Sequence, residues 1–396
     1  MIVTPSSDRK LLAIFLVVLI DVLGLTIILP LLPFYSEKFG ASPFVVGLLV
    51  AVYAACQLIS GPILGAWSDK IGRKPVLVVS QIGTLIGFVI LAEAPSLAWI
   101  FVSRIIDGIT AGNLSTAQAY ITDHTAPENR AKALGKLSIA FGVGYFVGPA
   151  LTAVLSRYGD RTPIYAAVAL SFLSIITSLV LLPREESRKP QAPTEPTSSI
   201  WSSGVKYFRD PMMRHSLIEL SIFYFAFAAY ISGLPLFAER RFTFNGQPFT
   251  SQEMGYMISY LGFLGIVIQG FMLGHLVARF GERKLTMQGF AVSFIGYAML
   301  VFTREPMMIA ISGLLTSFGV GVLRPSLLSM LTKNSPVDER GGVIGISNSL
   351  SALSQIIAPM VATALIGSQY IQFWGLLPAL LSAYGVYFNR KEFARP

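Results

Sequence analysis

Apolar stretches long enough to cross a bilayer recur along almost the whole chain, and they leave few alternatives for its fold. A hydrocarbon core of about 30 Å needs roughly 20 apolar residues per helix. Twelve segments reach that length, at approximately 11–34, 43–68, 75–93, 96–122, 130–157, 162–183, 212–237, 252–278, 284–303, 306–331, 341–367 and 370–389. Away from water the backbone must satisfy its own hydrogen bonds, which selects helices over open sheets. With 53% hydrophobic and 13% charged residues and a mean hydropathy of +0.64, the 396-residue chain has too little polar surface for a soluble globule. The expected class is an all-α membrane protein.

The net charge of +9 could point to a nucleic-acid partner, but the placement of the cations argues for membrane topology instead. With the N-terminus inside, the outer loops hold only Lys38, Arg157, Arg161, Arg240, Arg241 and Arg304, while Lys and Arg crowd the inner ends. Positive charge inside places both termini in the cytoplasm. Arg104 and Arg324 remain within the membrane. A single cysteine, Cys56, excludes an intramolecular disulfide. The first apolar segment runs too long for a signal-peptide core and lacks a small-residue cleavage site, so it reads as an uncleaved first helix.

A short polar interruption after the second segment, Gly65-Ala-Trp-Ser-Asp69-Lys70-Ile-Gly72-Arg73-Lys74, returns as Gly274-His-Leu-Val-Ala-Arg279-Phe-Gly281-Glu282-Arg283. Gly65, Gly72 and Lys74 match Gly274, Gly281 and Arg283 at an offset of 209, as Gly112 matches Gly321, while Pro33 matches Pro235 at 202, ahead of a longer outer loop at 243–251, and Pro149 matches Pro359 at 210. Six helices repeated in one orientation give two parallel six-helix repeats, with a substrate site expected between them. The expected division is an N-terminal bundle at 1–183, a Pro-, Ser- and charge-rich cytoplasmic linker at 184–210 and a C-terminal bundle at 211–396. Trp201 through Arg209 could form a short amphipathic stretch on the membrane surface.

Ionisable residues inside the membrane are the functional candidates, because an unpartnered charge there costs several kcal/mol. Asp21 lies roughly 15 Å into the first helix, near the midplane. It is a candidate to carry a proton, or alternatively a neutral group bonding a neighbouring helix. Arg104 and Asp107, three residues apart, share one helical face and can pair, as a structural latch or as a coupling device that opens on protonation. In the fifth segment, Gly144-x-x-x-Gly148-Pro149 combines close helix contact with a proline kink, the signature of a hinge at a moving interface. The repeat does not carry these charges over: Asp21 aligns with Phe223, and Arg104 and Asp107 with Gly313 and Thr316. The second half brings Glu219 and Arg324 instead, either of which could reach toward the surface. Tyr53, Gln57, Asn113, Tyr145, Tyr224, Tyr230, Gln269 and Gln355, with Glu219 and Arg324, are candidates to line a substrate cavity.

This pattern resembles the major facilitator superfamily, most closely the twelve-helix drug/proton antiporters that include the tetracycline exporters. The loop from Gly65 through Asp69, Gly72 and Arg73 to Lys74 is similar to the superfamily signature after helix two. Arg104 with Gly108 and Gly112 resembles its fourth-helix signature, Gly144-x-x-x-Gly148-Pro149 its antiporter signature, and Asp21 followed by Pro30 and Pro33 the first helix of tetracycline exporters. Thr152 and Ala153 stand where the antiporter signature continues to a Gly-Gly pair. The resemblance implies a secondary transporter of a bacterial inner membrane, a monomer without cofactor. It would export small amphipathic organic compounds, drug- or tetracycline-like, in exchange for protons by alternating access. It also implies a latch in which Asp69 meets the start of helix eleven near Arg340, where a helix N-terminus attracts a carboxylate. An arginine facing the cavity at 324 would suit an anionic or zwitterionic substrate.

A lipid or lysolipid flippase and a metabolite uniporter on the same fold remain alternatives. No Gly-x-x-x-x-Gly-Lys-Ser/Thr phosphate loop is present for an ATP-driven pump. The three histidines, His124, His215 and His275, lack metal-ligand spacing, so an enzyme is not expected.

Overall fold

The backbone resolves the apolar pattern into helices, and the computed structural model describes residues 7–126, 129–183, 207–244, 246–336, 339–368 and 370–393. In chain order these are α1 (Ser7–Glu37), α2 (Pro43–Ile71), α3 (Arg73–Ala92), α4 (Leu97–Ile109), α5 (Asn113–Asp123), α6 (Arg130–Leu155) and α7 (Thr162–Leu181). They continue with α8 (Pro211–Arg241), α9 (Ser251–Val267), α10 (Leu273–Phe302), α11 (Pro306–Lys333), α12 (Arg340–Ile366) and α13 (Leu376–Phe393). A two-stranded hairpin, β1 (Thr243–Phe244) with β2 (Gln247–Pro248), sits in the loop that shifts the register of the repeat. Residues 184–206, most of the expected linker and of the Trp201–Arg209 stretch, lie outside the described residues.

Among the described residues, ten helices are long and apolar enough to span a membrane, and the count of twelve follows from two local departures. The fourth crossing, expected as one helix over 96–122, is broken into α4 and α5. The backbone tightens between them, with Ala111 N–H donating to Gly108 O and Gly112 N–H to Thr110 O. Gly112 can sit there because a side chain would run into Leu64, at 2.7 Å. The opposite occurs at the eighth and ninth crossings, where Ser251–Phe302 runs on through a π-helical stretch at Ile268–Met272. The reversal falls at Gly281, whose φ of 73° and ψ of 157° are out of reach of other residues. Gly72 has the corresponding φ of 100° and ψ of 157° between α2 and α3.

Two compact units emerge. One holds Met1–Ala41, Val52–Pro193 and Thr250–Phe263, the other Ser42–Ala51, Thr194–Phe249 and Leu264–Pro396. Each unit therefore takes in the opening turns of the other repeat's second helix. In the first unit, Ser259 donates to Phe146 O of α6 at 2.7 Å, and a Cβ at Gly255 would stand 2.6 Å from Pro149 O, leaving room for no side chain. In the second, a Cβ at Gly47 would stand 2.7 Å from Pro359 O of α12.

The duplication is visible in packing. Gly87 of α3 faces Asp107 and Ser103 O of α4, and Gly296 of α10 faces Thr316 and Ser312 O of α11. Glycine permits both close approaches, at 3.1–3.2 Å and 2.8–3.1 Å from where a Cβ would stand. The outward faces are apolar and exposed, as with Ile82, Ile86 and Val89 on α3 or Phe172, Leu179 and Val180 on α7. A surface of this kind belongs against lipid acyl chains.

Gly72→Ala and Gly281→Ala should each lower stability by about 1–3 kcal/mol through backbone strain. Gly65→Ala, inside α2 with nothing within 4 Å, should be neutral or slightly stabilising. Thermal unfolding of the three variants in detergent checks the contrast.

Candidate functional site

In the first unit, α1 carries Asp21 into a polar cluster supplied by three other helices. The Ser174 hydroxyl of α7 donates to Asp21 Oδ1. Gln81 of α3 donates its amide to Ser174 Oγ at 2.7 Å and lies 3.4–3.5 Å from both oxygens of Asp21. Asn113, the first residue of α5, also reaches the carboxyl group. Gln81 and Ser174 are fully buried. Hydroxyl and amide groups can serve the acid in either state, donating to a carboxylate or accepting from a carboxylic acid.

Next to this cluster, Arg104 Nη1 stands 3.3 Å from Asp107 Oδ2, with both side chains 4% exposed. The guanidinium lies over the Phe88 ring, 5.9 Å from its centre, and donates to Ser103 Oγ at 3.1 Å. Arg104 Nε and Asp107 Oδ2 have no well-directed hydrogen bond. The pair is therefore matched in charge and incompletely satisfied in hydrogen bonding. A buried pair of this kind adds little stability by itself but is costly to break from one side.

The α6 glycines set how closely α1 approaches. A Cβ at Gly148 would stand 2.0 Å from Thr26 Oγ1, and one at Gly144 2.4 Å from Val22 Cγ1. Thr26 uses the contact to donate to Gly144 O at 2.9 Å, and Thr152 donates to Ile27 O at 2.6 Å. Thr152 thus stitches α6 to α1 in place of a glycine, one turn and a half beyond Asp21. Pro149 lies within α6, which continues as a helix through it.

The interhelical loop is an ion-pair node centred on Arg73. Its guanidinium meets Asp69 at 2.6 Å and Asp123, the last residue of α5, at 3.0 Å, and donates to Ser68 Oγ at 2.6 Å. Lys74 caps the end of α7 by donating to Leu179 O and Leu182 O. In the second unit Glu282, which aligns with Arg73, accepts from Lys333 at the end of α11 and from Ser329, both at 2.7 Å. The tie from the residue after the left-handed glycine to the end of the fourth crossing is kept, with its charges reversed. Sequence reasoning missed this, because position-by-position comparison shows only a lost arginine. Arg340 opens α12 in the second unit.

The remaining candidates separate by exposure. Tyr53 and Gln57 of α2 are half-buried and 3.4 Å apart, against α4 at Gly108, and Tyr145 is half-buried on α6. Tyr224 and Tyr230 are packed inside the second unit, Tyr224 bonding Ser347 at 3.0 Å and Tyr230 stacking on Trp374. Glu219 is also fully buried, so it does not reach toward the surface as the sequence allowed. Gln269, Gln355 and Arg324 are exposed, and Arg324 makes no ion pair among the described residues. Gln269 Cγ lies 3.8 Å from where a Cβ at Gly321 would stand, one turn before Arg324.

Gly148→Ala should push α1 from α6 and cost about 1–3 kcal/mol, the usual penalty for overpacking. Thermal unfolding should show this loss, while Gly135→Ala on the open face of the same helix should show none.

The sequence matches the family model of the Major Facilitator Superfamily over residues 14–359 and 249–396. It is 31% identical over 382 residues to the class C tetracycline resistance protein of Escherichia coli, covering 94% of this chain and 93% of that one. It is 26% identical to multidrug resistance protein 2 of Bacillus subtilis (strain 168), covering 89% and 88%. Among solved structures, the human organic anion transporter MFSD10 (TETRAN) superposes with a TM-score of 0.72 at 23% identity, covering 98% of this chain and 100% of that one. With this fold, this duplication and these matches over nearly its full length, the chain belongs to the Major Facilitator Superfamily of membrane transporters.

Proposed function

We propose that the protein exports small amphipathic organic compounds, tetracyclines among them, in exchange for protons by alternating access across a bacterial inner membrane. The observation that carries this reading is the Asp21 cluster. It places an acid within the helix bundle, surrounded by groups able to bond either protonation state, beside the Arg104–Asp107 pair. Tetracycline and multidrug resistance proteins among the relatives supply the direction and the class of cargo.

Proton uptake at Asp21 removes a charge that Ser174, Gln81 and Asn113 otherwise hold. Because α1 and α6 are stitched at Thr26 and Thr152, a change in the setting of α1 is passed directly to α6. The Arg104–Asp107 pair is the second charge-sensitive element, and protonating Asp107 would free Arg104. Asp69 and Arg73 control the loop that must rearrange in the transport cycle. Arg324, exposed on α11 and without an ion pair among the described residues, would meet an anionic group of the cargo, with Gln269 near Gly321 one turn before it.

Proteoliposomes with an acidic lumen should accumulate tetracycline, and a protonophore should abolish the accumulation. Asp21→Asn should lose this gradient-driven accumulation and retain tetracycline counterflow, since exchange needs no net proton transfer. Accumulation that ignores the pH gradient would replace this reading with a uniporter or a lipid flippase. Arg324→Gln should reduce transport of tetracycline more than that of the cation ethidium. Equal reduction of both would remove the assigned role of Arg324 in charge selection.

A further inference from the structure

The second unit contains a buried acid of its own that the transport reading above does not use. Glu219 sits on α8, the first helix of the second repeat, with no exposed surface. Its Oε1 accepts from Asn389 Nδ2 of α13 at 2.8 Å, and the same oxygen lies 3.3 Å from His215 Nε2, one turn earlier on α8. The His215 ring is stacked on Phe388 of α13, 4.3 Å between centres and 7° between planes, which fixes the imidazole beside the acid.

The arrangement repeats the Asp21 site by position in the bundle. Asp21 is on the first helix of its repeat and is bonded by the sixth, through Ser174 of α7. Glu219 is on the first helix of its repeat and is bonded by the sixth, through Asn389 of α13. Alignment of Pro33 with Pro235 puts Glu219 one turn nearer its helix N-terminus than Asp21. Residue-by-residue alignment therefore hides the correspondence, pairing Asp21 with Phe223.

Two unmet hydrogen-bonding atoms point to a ligand, and the smallest that fits is a proton. Glu219 Oε2 and Asn389 Oδ1 are both buried without a hydrogen-bond partner, in residues 0% and 1% exposed. A proton on Oε2 creates an O–H donor, and the Asn389 amide, turned over, offers Oδ1 to accept it. In the other state the proton has left, and the amide nitrogen donates to the carboxylate with the His215 ring beside it. The same three side chains satisfy the acid loaded and unloaded.

Among the described residues, Glu219 makes no ion pair other than that with His215. Leu217 and Leu220 flank Glu219 in an apolar cluster with Leu327 and Leu331 of α11 and Val343 and Ile346 of α12. The charges of those helices are Arg324, exposed within α11, Lys333, paired with Glu282 at the end of α11, and Arg340 at the first residue of α12. On α13, Arg390 and Lys391 lie in the last turn, and on α8 the neighbouring Arg214 is exposed. Tyr207 and Tyr224 border the cluster, Tyr224 with its hydroxyl bonded to Ser347.

We propose that Glu219, His215 and Asn389 form a second proton-binding site, built into the second six-helix unit, that loads and unloads during the transport cycle. This rests on the reading of the protein as a proton-coupled exporter.

The test combines infrared spectroscopy with transport, on the full chain. In pH-difference infrared spectra, the wild type should show a protonated-carboxyl C=O band that shifts in Glu219→Asp and is lost in Glu219→Gln. In proteoliposomes, Glu219→Gln should retain tetracycline counterflow and lose the pH dependence of gradient-driven accumulation, while Asn389→Leu should shift the infrared titration. A carboxyl spectrum unchanged by both Glu219 variants would overturn the proposal, as would wild-type pH dependence of transport in Glu219→Gln. If Glu219→Gln fails to elute as a folded monodisperse species, Glu219→Asp and the wild-type spectrum decide. If the wild type shows no gradient-driven transport, the antiport reading fails separately, and the infrared titration still reports whether Glu219 takes up a proton.

Discussion

A carboxyl group held inside an apolar helix bundle must find its hydrogen-bond partners within the protein, since lipid offers none and unpartnered charge costs several kcal/mol. The polar architecture follows from that constraint. Asp21 draws Ser174 and Gln81 from two other helices, Asp107 draws Arg104 from its own helix, and Glu219 draws Asn389 from the far end of the chain. Asp21 and Glu219 are each bonded from another helix, so protonating either would change a contact between helices, whereas Asp107 is held by a charge on its own helix. Transport proteins built on this principle can convert a proton into a shift between conformations, provided the two states bind the proton with different affinity.

Small residues make such coupling mechanical. Gly144 and Gly148 bring α6 so close to α1 that Thr26 and Thr152 bond across to carbonyls of the neighbouring helix. Contacts at this distance cannot stretch, and helix pairs held this way move together or repack discretely. The left-handed glycines at 72 and 281 do the same for the loops, fixing sharp reversals next to a charged residue that is anchored to the end of another helix.

Much of the fold was legible because a bilayer imposes length and composition on every crossing. Helix number, the duplication, the pairing of Arg104 with Asp107 and the interior location of Asp21 all follow from period, spacing and burial cost. The break of the fourth crossing at Thr110–Gly112 was not legible, because it depends on Leu64 standing where a side chain at 112 would go. Nor was the Glu282–Lys333 tie, since a charge-reversed pair preserves geometry while erasing identity. The partners of Glu219 were hidden for a third reason. Asn389 lies 170 residues away and is neutral, and Glu219 itself sits one turn out of register with Asp21.

The central claim is that drug and proton move in opposite directions through one cycle that Asp21 couples. Reciprocity requires that a drug gradient drive protons as surely as a proton gradient drives drug. The most direct measurement loads proteoliposomes with tetracycline and a pH-reporting dye, dilutes them into drug-free medium and follows lumenal pH. The account predicts lumenal acidification as tetracycline leaves, abolished in Asp21→Asn; drug efflux without any pH change in the wild type would contradict it.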